Sequence, residues 1–202
     1  DALPPPPRAS RRIPTEPARR EAHRLRAGAD AVLVGLGTAL ADDPLLTVRD
    51  APMPARGQPL RVVVDSAGRL PASAAMLAAE GKTLVAVASP EAAAAVDGHG
   101  AETLLAPDSD GRVDLPRLLA ELGARDVMSL LVEGGAALHG ALFEAGLVDK
   151  VVAFVAPIVI GGDGVPGPVG GPGAERMADA LRLHDVTYTG LDGDMMVVGY
   201  LA

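Results

Sequence analysis

Residues 127–143 read V-M-S-L-L-V-E-G-G-A-A-L-H-G-A-L-F, and the reading of this stretch decides the fold. An apolar run over 127–132 leads into Glu133, then Gly134 and Gly135, then apolar residues at Ala137, Leu138, Ala141 and Leu142. The hydrophobic period changes from that of a buried strand to that of a helix, with a two-glycine turn between them. Such a turn carries no side chains to keep a ligand at a distance, so the N–H groups of Gly135 and Ala136 can face an anion such as a phosphate. Glu133 does not suit that picture, because a carboxylate beside a phosphate is repelled. It is expected to point to a different bond, for instance to a sugar hydroxyl or a substrate donor.

The 202 residues are 49% hydrophobic, enough for one large domain or two small ones, and no linker-like stretch divides them, which favours one. With two Phe, two Tyr and no Trp, the core must rest on Ala, Val and Leu, and aromatic platforms for nucleic acid are missing. A net charge of −8 argues the same way, since duplex binding wants a basic face. Zero cysteines exclude disulfides, thiolate catalysis and Cys-ligated zinc, and no metal site is expected. No apolar run approaches the roughly 20 residues of a membrane span, and no signal-peptide pattern is present, so the expected location is cytoplasmic.

Working outward along the chain, residues 1–14 are Pro- and Arg-rich, a composition that predicts an extended lead-in. A helix is predicted over 16–27, with Thr15 as a cap, Pro17 in the first turn, and Ala18, Ala22 and Leu25 on one face. Its arginines, Arg26 among them, read by themselves as a solvated face. A short buried strand over 31–35 then gives way to a loop holding Gly37, Thr38, Asp42 and Asp43. The β-branched run 60–65 ends in Asp65 and Ser66. Further strand and helix signals alternate to residue 122, which predicts a mainly parallel sheet covered on both faces.

Beyond the opening stretch come a strand over 151–156, a Gly- and Pro-rich segment over 157–172 expected to be a mobile flap, a short helix candidate over 174–181, and two strands over 185–189 and 195–201. Those last strands predict an antiparallel hairpin at the end of the sheet. Ligands in open α/β sheets sit outside the carboxyl ends of the strands. Three strand ends therefore present candidates: Gly37, Thr38 and Asp42; Asp65 and Ser66; Glu133, Gly134 and Gly135. No nucleophile–base pair or metal motif accompanies them, and a site that binds without its own attacking group suits a redox cofactor.

Residues 28–49 (G-A-D-A-V-L-V-G-L-G-T-A-L-A-D-D-P-L-L-T-V-R), 61–66 (R-V-V-V-D-S), 131–135 (L-V-E-G-G) and 147–150 (L-V-D-K), with Ala156-Pro157 and Gly161-Gly162 after them, closely resemble the riboflavin-biosynthesis reductase domain. That family forms the C-terminal half of a bifunctional pyrimidine deaminase/reductase. The resemblance covers the chain from about Ser10 onward and implies a dihydrofolate-reductase-like three-layer α/β fold, as one reductase domain over 15–202. It implies an NADPH-dependent reduction of 5-amino-6-(5-phosphoribosylamino)uracil, or of its diamino-pyrimidinone analogue, to the ribitylamino phosphate, by a homodimer.

Carried over by motif, the NADPH contacts are Thr38, Asp42, Ser66, Gly134, Gly135, Ala136, Ala137, Leu138, His139 and Gly140. The substrate contacts are Ser10, Arg26, Leu46, Arg49 and Glu133. The chemistry agrees with that partition, since a ribose phosphate needs cations and an amino-pyrimidine needs acceptors. The family's opening strand of the type K-x-A-x-S-L-D-G has no counterpart here, the family's Trp of an S-x-W segment is Arg12, and the zinc motif of the deaminase half is absent. A pterin or folate reductase of the same fold and a non-catalytic NADP-binding module are the rival readings.

Overall fold

A computed structural model describes residues 15–159 and 167–201, so the lead-in with Ser10 and the middle of the Gly-rich segment lie outside the described residues. The chain divides into two compact units, and the division falls inside the first helix.

The larger unit, described residues 22–147 with 167–173, is built on five parallel strands. These are β1 (Ala31–Gly35), β2 (Leu60–Val64), β3 (Thr83–Val87), β4 (Glu102–Leu105) and β5 (Leu130–Gly134), in the order β4-β3-β2-β1-β5. Among the described residues, this unit holds the helices α2 (Leu36–Asp42), α3 (Ala75–Ala78), α4 (Pro90–Val96), α5 (Leu115–Gly123) and α6 (Ala136–Glu144), together with residues 22–28 of the first helix, α1 (Glu16–Gly28). Parallel strands require covered faces, and the β-branched runs supply them: Val32, Val34, Val63, Val85 and Val87 pack with Leu36, Leu46, Leu70, Met76 and Val96 into one core. Each such side chain contributes on the order of 1.5–3 kcal/mol by leaving water.

Sequence signals place the covering helices as well. Ser89 and Asp114 accept from the N–H groups of Ala92 and Arg117 at 3.1 and 2.9 Å, and each is followed by a proline in the first turn of α4 or α5.

The smaller unit includes described residues 15–21, 148–159 and 174–201. Its sheet is antiparallel, β6 (Lys150–Val155) and β7 (His184–Leu191) flanking β8 (Asp194–Tyr200). The expected hairpin is thus present, but in a separate three-stranded sheet with β6 rather than at the end of the parallel sheet, where it was expected. Thr15, expected as a side-chain cap, instead donates its hydroxyl to the Leu191 carbonyl at 3.0 Å, while its N–H reaches the buried Asp194 carboxylate at 2.6 Å.

Three elements differ from the sequence reading. The expected loop after β1 is the helix α2, which turns Leu36 and Ala39 into the core and ends where Asp43 takes a left-handed conformation (φ 41°) before Pro44. β5 starts at Leu130 rather than 127, because the Asp30 carboxylate takes the N–H groups of Met128 and Ser129 at 3.0 and 2.9 Å. The helix candidate over 174–181 shrinks to one 3₁₀ turn, Met177–Asp179.

Candidate functional site

The carboxyl ends of β1, β2 and β5 open onto one cavity of about 470 Å³, within the usual range for a small-molecule site. Thr38, Asp42, Ser66 and Gly135 all line it. The floor between β1 and β5 is tight: a Cβ on Gly134 would meet Thr38 Oγ1 at 3.0 Å and Cγ2 at 3.1 Å, and one on Gly135 would meet Thr38 Oγ1 at 3.5 Å. Gly135 has φ 93° and ψ 109°, a conformation that L side chains rarely adopt, and it stands at the N-cap of α6 with no side-chain cap. The first N–H groups of α6 therefore lack a side-chain acceptor at the cavity wall formed by Gly135, Ala136, Ala137 and Leu138. Backbone donors, the Thr38 hydroxyl and an apolar lining fit the phosphates and flat rings of a dinucleotide.

On the β5 side of this floor lies a second cluster. The Glu133 carboxylate receives both Nε and Nη2 of Arg26, at 2.5 and 2.6 Å, and Arg26 Nη1 reaches the Thr47 carbonyl at 3.1 Å. That fork is the different bond that Glu133 needed, and it neutralises a carboxylate two residues from the Gly135 N–H. Segment 46–49 is pinned along its whole length. Leu46 is 2% exposed and holds φ 52°, Val48 exchanges bonds of 2.8 and 3.1 Å with the Gln58 amide, and the Arg49 N–H approaches His23 Nδ1 at 3.4 Å. A leucine at positive φ is strained, and burial in the core holds it there. With its backbone anchored, Arg49 presents an exposed guanidinium that has no carboxylate partner among the described residues.

His23 belongs to this cluster and went unnoticed in the sequence, although it stands one helical turn from Arg26. Burial holds its pKa below the ordinary 6.5, Arg26 and Arg49 push it the same way, and Asp50 and a bond at the Thr47 backbone oppose them. A depressed histidine is neutral in both states above about 6.5, and below that the unfolded chain takes the proton first, so stability falls as pH falls toward the folded value. The melting temperature is expected to drop between pH 7 and pH 5, and His23→Gln is expected to flatten that slope; parallel slopes would assign the dependence to other groups.

Residues 5–197 match a family described as the RibD C-terminal domain. The chain belongs to this family. The 2,5-diamino-6-ribosylamino-4(3H)-pyrimidinone 5′-phosphate reductase of Methanothermobacter thermautotrophicus is 40% identical over 168 residues, which cover 82% of this chain and 76% of that protein. The riboflavin biosynthesis protein RibD of Escherichia coli is 34% identical over 199 residues, 93% of this chain and 53% of its own. The structure of Acinetobacter baumannii RibD matches with a TM-score of 0.80 at 28% identity, over 94% of this chain and 51% of that one. The chain thus spans about half the length of the RibD proteins it matches. The fold is the dihydrofolate-reductase-like α/β fold that the sequence implied, and the named relatives make the family one of oxidoreductases.

Within this family's fold, the expected cofactor residues do not all face the cavity. Thr38, Asp42, Ser66, Gly135, Ala136, Ala137 and Leu138 line it, whereas Gly134, His139 and Gly140 do not. Gly134 admits Thr38, His139 Nδ1 contacts the Pro168 carbonyl at 2.9 Å, and a Cβ on Gly140 would lie 2.3 Å from the Gly170 carbonyl. Pro168, Gly170 and Gly171 of the expected flap therefore lie against α6, where the Gly170 N–H bonds the Ala136 carbonyl at 2.8 Å. Of the expected substrate residues, Arg26 and Glu133 are joined and Arg49 is held nearby through His23; the side chain of Leu46 is in the core, leaving only its backbone for a ligand. Ser10 lies outside the described residues.

Asp65, a strand-end candidate, is 1% exposed and accepts from the N–H groups of Arg69 and Leu70 at 2.6 and 2.7 Å, so it shapes the turn rather than a ligand site. Arg112, Val113 and Leu115 also line the cavity and were not anticipated. Among the described residues, no cluster of three or more His, Asp or Glu could hold a metal, and no helix is long and apolar enough to cross a membrane.

Proposed function

We propose that the chain is an NADPH-dependent reductase of a phosphoribosylamino-pyrimidine, the uracil or the diamino-pyrimidinone form, giving the ribitylamino phosphate. The observation that carries this reading is the convergence of Thr38, Ser66 and Gly135 on one cavity, two residues from the Arg26–Glu133 pair. NADPH would supply a hydride for C1′ of the ring-opened, imine-like ribose. Thr38, Ser66 and the first N–H groups of α6 would seat its phosphates, and the apolar wall would keep water from the transfer. Glu133 keeps lone pairs free beyond the two that Arg26 occupies, so it can accept from an amino-pyrimidine while Arg26 fixes its orientation. Arg49 would take the sugar phosphate. The names of the relatives support this substrate class, and homodimerisation is part of the same proposal.

The test is loss of nicotinamide absorbance with the ribosylamino phosphate and, separately, with dihydrofolate. Turnover of the first is expected; turnover of dihydrofolate alone would make this a pterin-type reductase, and dinucleotide binding with neither consumed would make it a binding module. In the same assay Arg49→Ala is expected to raise the substrate KM about tenfold or more, the worth of one charged hydrogen bond, while leaving dinucleotide affinity nearly intact. The reverse pattern would exchange the roles of the two clusters.

A further inference from the structure

The turn over 107–113 ends at the cavity and is built as a rigid arm. Pro107 and Val113 form an antiparallel bridge, the Asp108 N–H bonds the Arg112 carbonyl at 2.8 Å, and Asp108 Oδ1 accepts from the N–H groups of Asp110 and Arg112 at 2.8 and 2.7 Å. Gly111, at φ 73°, closes the turn. The arm is then fastened to the end of β2, where the Val113 N–H donates to Ser66 Oγ at 3.1 Å. Both backbone groups of Arg112 are thus committed, and its exposed side chain lines the cavity.

Arg112 is the single cation among the lining residues described, and no carboxylate among the described residues pairs with it: Asp108 Oδ1 is occupied by backbone N–H groups. An unpaired guanidinium fixed at a cavity wall fits an anion, and its planar fork fits phosphate. The position says which phosphate. The seat at Gly135 and α6 follows β5, whereas Ser66 and Arg112 gather at β2, and β1 lies between them. Two strand spacings separate the two seats by roughly 10 Å, about one nucleoside beyond the pyrophosphate. Ser66, whose oxygen accepts from Val113, still has its hydroxyl hydrogen to donate toward the same place.

We propose that Arg112, with Ser66 beside it, binds the phosphate on the adenosine ribose of the dinucleotide and so sets the preference for the phosphorylated over the unphosphorylated cofactor. The inference rests on the dinucleotide reading above and adds the determinant within it. Calorimetric titration of the whole chain with NADP⁺, NAD⁺, adenosine 2′,5′-bisphosphate and adenosine 5′-monophosphate tests it, with melting temperature as the fold control. Arg112→Ala is expected to weaken NADP⁺ and the bisphosphate about tenfold to a hundredfold, and NAD⁺ and the monophosphate by less than about twofold. Arg112→Lys is expected to recover part of the loss, keeping the charge without the fork. Equal weakening of NADP⁺ and NAD⁺, or no weakening of either, overturns the assignment. A wild-type chain that binds neither dinucleotide overturns it too, and that outcome marks the failure of the cofactor reading rather than of Arg112 alone.

Discussion

Replacing Gly135 by valine is expected to raise the NADP⁺ dissociation constant about a hundredfold, or about 2.7 kcal/mol. The residue holds φ 93° and ψ 109° at the N-cap of α6. An L side chain in so sparse a region costs on the order of 1–3 kcal/mol, and β-branching removes the rotamers that would ease it. The chain escapes that strain by rotating the peptide, which turns the Gly135 and Ala136 N–H groups away from the cavity. Bonds from such donors to a charged acceptor are worth about 1.5–3 kcal/mol each, so losing one accounts for the effect.

Steric filling is the rival cause, and the neighbouring glycine separates the two. A Cβ at Gly134 would sit 3.0 Å from Thr38 Oγ1, so Gly134→Ala crowds the same wall, and its backbone stays outside the positive-φ region. Thr38 needs to yield by only a few tenths of an ångström, and Gly134→Ala is expected to cost about tenfold or less. Calorimetric titration beside a thermal melt makes the comparison. If folded Gly135→Val binds NADP⁺ as tightly as the wild type, the phosphates sit elsewhere.

The same contrast explains what the sequence could and could not tell. The strand–Gly-Gly–helix stretch was readable because two periods meet beside Gly135, whose conformation only glycine adopts easily. The buried runs β1, β2 and β3 were readable because parallel strands demand continuous apolar residues. α2 was not, since a seven-residue helix with two buried side chains and no capping side chain leaves almost no periodic signal. Nothing local marks Leu46 as core and Leu45, 37% exposed, as surface. The start of β5 depends on Asp30, about a hundred residues earlier, and the place of Arg112 depends on a turn stapled to Ser66. The strand-end rule points to the loop after β4, but β4 is short and half exposed, so its signal was weak.

Arg61→Met is expected to cost about 3 kcal/mol of folding stability. Arg61 stands on β2 at 1% exposure and spends its donors on four oxygens: Thr83 Oγ1 at 3.0 Å and the carbonyls of Ala79, Glu80 and Gly81 at 3.1, 2.6 and 2.8 Å. Those carbonyls follow α3, a single turn that cannot satisfy its own end. Burial pushes the pKa of the guanidinium down, and no carboxylate offsets that penalty among the described residues.

An apolar replacement therefore has something to gain, because a buried charge without a counterion is costly. The loss wins because the acceptors remain: methionine fills the volume of the stem and leaves three carbonyls and a hydroxyl without their donor. Arg61→Lys, with one donor centre for four acceptors, is expected to fall between the two. Urea unfolding gives the comparison through its midpoint at unchanged slope. A methionine variant as stable as the wild type would mean that water reaches those carbonyls and that the guanidinium is dispensable to the fold.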